Sequence, residues 1–159
     1  MLAAFMDTPY NIMLFLHIVT AFVAFAPAFV HPVLGRQMEQ AVPGERSTIV
    51  ELMARNSMRI YGSALVVSGL IGFGVAGMSD DGTGELVYRI ADGWLLTAVI
   101  LWVAMNGLLH AGIVPAERAV AAAGSARDDV AERKLTIAGA IFTVLFLVQI
   151  YLMVFKPGA

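Results

Sequence analysis

A chain of 159 residues that is 59% hydrophobic and 14% charged, with a mean hydropathy of +0.80, is too apolar for a domain with a wetted surface and reads as an integral membrane protein whose first partner is the lipid bilayer. Its formal net charge of −2 provides no basic field for a polyanion, which argues against nucleic acid as a partner. Cysteine is absent, which excludes disulfides, thiolate metal sites, iron–sulfur clusters and thioether-linked haem and leaves His, Met and carboxylates as the sources of ligands.

The leading MLAAFMDTPY lacks the cationic region of a secretory signal, and the apolar run behind it is too long for a signal core and ends without a small-residue cleavage site, so the first span is expected to stay in the mature protein. Asp7-Thr8-Pro9 reads as a helix start, with Thr8 as cap and Pro9 at the first helical position. From Tyr10 to Leu34 the chain carries no acidic or formally cationic side chain. A helix of that length spans roughly 37 Å against a hydrocarbon core of about 30 Å. On a helical wheel His17, Thr20, Ala21, Ala24, Ala28 and His31 share one face and Phe15, Phe22 and Phe29 lie opposite. The small, polar face is expected to look into a helix bundle and the Phe face into lipid, with Pro27 kinking the helix between the two histidines.

Gly35 to Gly44 is polar and turn-rich, and Thr48-Ile49-Val50-Glu51 has the form of a capping box, so a second helix is expected to start there. It is amphipathic through Arg59 and apolar from Ile60 to Met78, the pattern of one long helix whose first turns lie near the headgroups. Ser68, Gly72 and Ala76, widened by Gly69 and Gly77, form a small-residue face suited to close packing. Ser79–Gly84 reads as a turn, and a third span runs from about 91 to 114, with Trp94 as an interfacial anchor and Trp102, Asn106 and His110 forming a polar stripe. Pro115 to Lys134 is charged and alanine-rich, with a helix break and new cap at Gly124-Ser125. The fourth span covers 135 to 155, with Gly139, Ala140 and Thr143 as its packing face and Gln149 as its strongly polar interior residue.

The expected fold is therefore all-α, a single integral membrane domain built as a four-transmembrane-helix bundle with spans at about 10–34, 60–78, 91–114 and 135–155. Arg36, Arg46, Arg55 and Arg59 lie between spans one and two, and Arg118, Arg127, Arg133 and Lys134 between spans three and four, against Arg89 and Lys156 on the other side. The positive-inside rule then places both termini outside and the two longer, polar helical extensions in the cytoplasm. HPVLGR and HAGIVPAER also form a weak internal repeat, which brings His31 and His110 to equivalent depths.

The LHIVTAFVAF segment, the small-rich LVVSGLIGFGVAGM followed by WLLTAVILW, and VPAERAVAAAG resemble the small four-helix bacterial membrane proteins that are similar to the CopD membrane domain and, more remotely, to HemJ-type protoporphyrinogen oxidases. The resemblance implies a bacterial inner-membrane bundle with a metal or haem connection. Where many relatives have a Trp-x-Gly segment this chain has Ala24-Phe25-Ala26-Pro27, and no lysine lies within a span.

The residue types leave two readings of the polar groups. His31 and His110 are the candidate ligands of a haem b or a metal ion between spans one and three, with His17 and Asn106 as secondary candidates. The alternative is that the histidines are structural, bonding Thr, Gln or backbone carbonyls, with Asn106 and His110 bonding across the bundle and Gln149 as the polar neighbour of His17. Copper held by Met53, Met58, Met78, Met105 and Met153 would need those residues to converge. No Ser/His/Asp set, carboxylate pair or phosphate-binding glycine loop is visible in the spans. The expected function is that of a non-catalytic or accessory component of a membrane assembly, working with a membrane-protein partner or further copies of itself. A haem-b electron-transfer or haem-oxidoreductase protein is the alternative.

Overall fold

The computed structural model of the chain describes residues 8–79, 86, 88–124 and 128–158. Four helices are long and apolar enough to cross a membrane: Thr8–Met38, Gly44–Gly77, Gly93–Ala123 and Asp129–Phe155. The first is built from α1 (Thr8–Phe25) and α2 (Pro27–Gln40), and the second from α3 (Pro43–Asn56), a π-helical turn π1 (Ser57–Gly62) and α4 (Ser63–Gly77). The third joins α5 (Gly93–Gly107), a second π-helical turn π2 (Leu108–Ile113) and α6 (Val114–Ala123), and α7 (Asp129–Phe155) is the fourth. The chain is an all-α four-helix membrane bundle.

The first helix obeys its wheel. Ala24 is fully buried, whereas Phe15, Phe22 and Phe29 are 64, 77 and 66% exposed, an arrangement that water would penalise and lipid does not. Pro27 has no N–H to offer the Val23 carbonyl, so the ladder resets at Ala26: its N–H reaches Val23 at 3.4 Å and its carbonyl accepts from Phe29 and Val30. Asp7, the first residue of the expected helix start, lies outside the described residues.

The second helix is one long helix, as its sequence suggests, but it begins at Pro43 rather than Thr48. Pro43 takes the first helical position, and Ser47 and Thr48 turn their hydroxyls back to the Gly44 carbonyl at 3.0 and 3.1 Å instead of capping. Its small-residue face packs against α1. Ser68 and Ala76 are buried, and the missing side chains of Gly69, Gly72 and Gly74 are replaced by Trp102, His17 and Met13 respectively. A Cβ at Gly77 would meet nothing within 4 Å among the described residues, so Gly77 is not part of this contact.

Trp94 does not face outward, as an interfacial anchor would. It is 5% exposed, packed with Ala98 and Leu152 and edge-on to Tyr88 at 5.5 Å. The third helix ends at Gly124, whose φ of +59° is open to glycine, and α7 is capped by Asp128, which accepts from Ala131 N–H at 3.0 Å. Ser125, the expected cap, and the Asp80–Gly84 turn lie outside the described residues. The packing face of α7 is Ala138, Phe142 and Phe146, which fill the main core beside Leu65, Met105 and Leu109. Ala140 is exposed, Gly139 has no neighbour within 4 Å, and Thr143 bonds the Gly139 carbonyl in its own helix. Large side chains at four-residue spacing fill this interior better than small ones, and that decides the rotation of α7.

A second core of Met38, Val50, Met53, Val120 and Ala131 joins the ends of α2, α3 and α6 to the start of α7, with an Arg46–Glu132 ion pair across its edge. This arginine-rich end also holds Arg36, Arg55, Arg59 and Arg118, while Lys156 and Tyr88 mark the opposite end.

A Cβ at Gly69 would collide with the ring of Trp102. Gly69→Ala therefore displaces the indole and is expected to destabilise the bundle by about 1–3 kcal/mol, as overpacked cores do. Gly77→Ala is expected to change stability by less than about 0.5 kcal/mol. Thermal melts of the two variants in mild detergent check the contrast.

Candidate functional site

A fully buried carboxyl group belongs to a residue that the sequence places in a connecting segment. The third helix does not stop at Pro115: π2 runs directly into α6, with Pro115 in the first turn beyond it. Glu117 is thereby carried into the bundle and is fully buried. Ser57, also fully buried, opens π1 and donates its hydroxyl to Glu117 Oε1 at 3.0 Å. His31 of α2 brings Nδ1 to 3.7 Å from the same oxygen, with its side chain 15% exposed and its ring edge-on to Tyr61 at 6.2 Å. Glu117 Oε2 and His31 Nε2 are buried without a hydrogen-bond partner among the described residues. The imidazole and the carboxylate thus face each other just beyond hydrogen-bond distance, at a depth where an unpaired charge is costly.

His110 sits differently. It is exposed on π2, and its Cε1 would be 2.9 Å from a Cβ placed on Gly62. His31 and His110 thus meet consecutive residues of π1, Tyr61 and Gly62, but His31 is turned toward Glu117 whereas His110 lies at the surface. Among the described residues no three His, Asp or Glu side chains converge as a metal set. Buried Met105 and Met53 belong to different cores and Met58 is 46% exposed, so these three methionines do not converge as a soft-ligand set. Asn106 donates Nδ2 to the Trp102 carbonyl one turn back in its own helix at 2.8 Å rather than bonding across the bundle, and its Oδ1 is buried without a partner among the described residues.

A second feature lies toward the Lys156 end. There α1 and α4 form one packed pair and α5 and α7 another, and a cleft of about 870 Å³ opens between them. Phe25 stacked on Phe146 at 4.2 Å joins α1 to α7 at one point of its lining. Apolar side chains make most of its wall, and His17, Ser68, Trp102 and Gln149 are among its polar groups. At the far side Lys156 donates to the Tyr88 hydroxyl at 2.6 Å and lies 4.3 Å over that ring's centroid.

Backbone carbonyls fix the two aromatic groups. Trp102 donates Nε1–H to the Leu65 carbonyl at 2.8 Å. His17 Nδ1 is 2.8 Å from the Ser68 carbonyl, which can only accept, so Nδ1 carries the hydrogen and Nε2 of the neutral ring keeps a free lone pair. The partner of His17 is therefore Ser68, not Gln149, whose Oε1 is buried without a bond among the described residues. No protein-family model, curated protein or solved structure matches the chain.

Of the four sequence candidates, His31 is drawn into the carboxylate cluster, His17 into the cleft, and His110 and Asn106 into neither. Glu117 and Ser57 are additions. Val114, Glu117 and Val120 recur at helical spacing, a period that continues the third span beyond its proline and marks Glu117 as inward-facing.

Ser57→Ala removes the hydroxyl donor to Glu117 and is expected to cost about 1–3 kcal/mol, the range for stranding a buried polar partner. In a Glu117→Leu background the same change is expected to cost much less, since no carboxylate is left to strand. A double-mutant cycle of melting curves measures that coupling.

Proposed function

We propose that this small integral membrane protein holds a flat, largely apolar molecule drawn from the bilayer, acting as a binding component of a membrane assembly rather than as an enzyme. The cleft between the two helix pairs carries the proposal: its size and apolar lining, with a few placed polar groups, are those of a small-molecule site. Both aromatic polar side chains within it are tied to backbone carbonyls, which suits holding and orienting a ligand. The excess of Lys and Arg at one end supports an inner-membrane orientation with that end in the cytoplasm and both termini outside.

Haem b is the occupant that one observation favours. An imidazole whose Nδ1–H is held by a backbone carbonyl presents Nε2 as a ligand, the arrangement that orients metal-binding histidines, and His17 meets it on the wall of the cleft. His31 and His110 are not part of that wall. A bound haem would supply one-electron transfer through its iron. The protein's own part is to fix the imidazole through Ser68, to place Trp102 on the same wall and to exclude water with its phenylalanines.

The visible spectrum of protein purified in mild detergent from haem-replete cells is expected to show a stoichiometric Soret band that His17→Ala abolishes and His110→Ala retains. A colourless preparation overturns the haem assignment. Failure to extract any stoichiometric apolar molecule from the same preparation, by mass spectrometry, overturns the binding role itself.

A further inference from the structure

The arginine-rich end carries a separate concavity of about 300 Å³ that shares no residue with the cleft. We propose that it binds a phosphate group, and that an anionic phospholipid supplies that group. Arg55 and Arg59 lie one turn apart across the junction of α3 and π1, on the same face, and Arg118 reaches the concavity from α6, which packs against α3 through Val50, Met53 and Val120. Ala54 and Ala121 complete its lining with Met58, and Glu51 is the one carboxylate in it. Three guanidinium groups against one carboxylate leave a local excess of two positive charges. Among the described residues none of the three arginines has a carboxylate within 4 Å, whereas Arg46 at the same end is paired with Glu132. Converging like charges repel, and a bound anion relieves that repulsion. Phosphate matches planar guanidinium forks through paired N–H donors.

Depth favours the lipid as the source. Arg59 directly precedes the apolar stretch that begins at Ile60, so the concavity lies where headgroups meet hydrocarbon. Met58 and Ile60, 46 and 47% exposed, offer apolar surface beside it for acyl chains. Basic pockets between helices at the cytoplasmic boundary are suited to such headgroups.

The full chain is to be reconstituted in phosphatidylcholine nanodiscs and titrated with phosphatidylglycerol, with retained lipid read by native mass spectrometry and inorganic phosphate titrated in parallel. Phosphatidylglycerol is expected to be retained over phosphatidylcholine. The triple change Arg55→Gln, Arg59→Gln, Arg118→Gln is expected to weaken that retention by roughly tenfold or more, while Arg36→Gln, an exposed arginine at the same end, leaves it unchanged. Glu51→Gln removes the opposing carboxylate and is expected to strengthen retention, a gain that misfolding does not produce. Equal retention of the two lipids, or no loss in the triple variant together with no gain in Glu51→Gln, overturns the proposal. Inorganic phosphate displacing phosphatidylglycerol at equal concentration overturns the lipid as the source.

Discussion

The contact on which the bundle turns is the one that α4 makes by omission. In lipid there is no hydrophobic force to press helices together, and close approach has to come from surfaces without side chains. Gly69, Gly72 and Gly74 provide one, and into it go Trp102 from α5 and His17 and Met13 from α1. Both His17 and Trp102 then reach backbone carbonyls of α4, at Ser68 and Leu65. Helix α4 is thus clasped from two sides by polar side chains whose hydrogen bonds gain from the absence of water. One consequence is that α1 packs along α4 and meets α7 chiefly where Phe25 stacks on Phe146. The space left between the pairs is the cleft, and the same two side chains that make the clasp give the cleft its polar groups.

At the arginine-rich end the logic is that of a soluble protein. Apolar residues of α2, α3, α6 and α7 form a small core, and one ion pair bridges its edge. Between this cap and the membrane interior lie the two π-helical turns. Each adds a residue to its turn and so rotates the helix beyond it, and one of them begins with Ser57 while the other leads into the turn that carries Glu117. The buried carboxylate, its serine and His31 meet at this level, where the two styles of packing join.

Much of the fold is legible in the sequence because lipid imposes a simple rule. The wheel of the first span separates His17, Ala24 and His31 from Phe15, Phe22 and Phe29 without reference to any other helix, and the structure keeps that division in exposure, although Phe22 and Phe29 join His17 in lining the cleft. The small face of the second span likewise needs only its own spacing. The features that are not legible depend on neighbours. Trp94 has the character of an interfacial residue and is buried because Leu152 and Tyr88 cover it. Gly139 and Thr143 look like a packing face, yet larger neighbours in the same helix fill the interior better. Thr48 has a capping box in sequence, and an upstream proline takes the helix start from it. Glu117 is hidden by Pro115, whose meaning differs between a helix end and a first turn after a π bulge. The histidines are legible as a group but not in their roles, because a serine carbonyl and a glutamate 86 positions after His31 in the chain decide them.

The ligand site depends on the separation of the two helix pairs, and the absence of native cysteine makes that separation directly measurable. Paired cysteines at Met13 and Gly74, which face each other across the α1–α4 contact, can be compared with a pair at Phe22 and Ile150, which line the cleft from α1 and α7. Oxidative cross-linking in native membranes should be rapid and near complete for the first pair and slow or absent for the second. Efficient closure of the Phe22–Ile150 pair would mean that α1 and α7 pack together and that the cleft does not exist in the membrane.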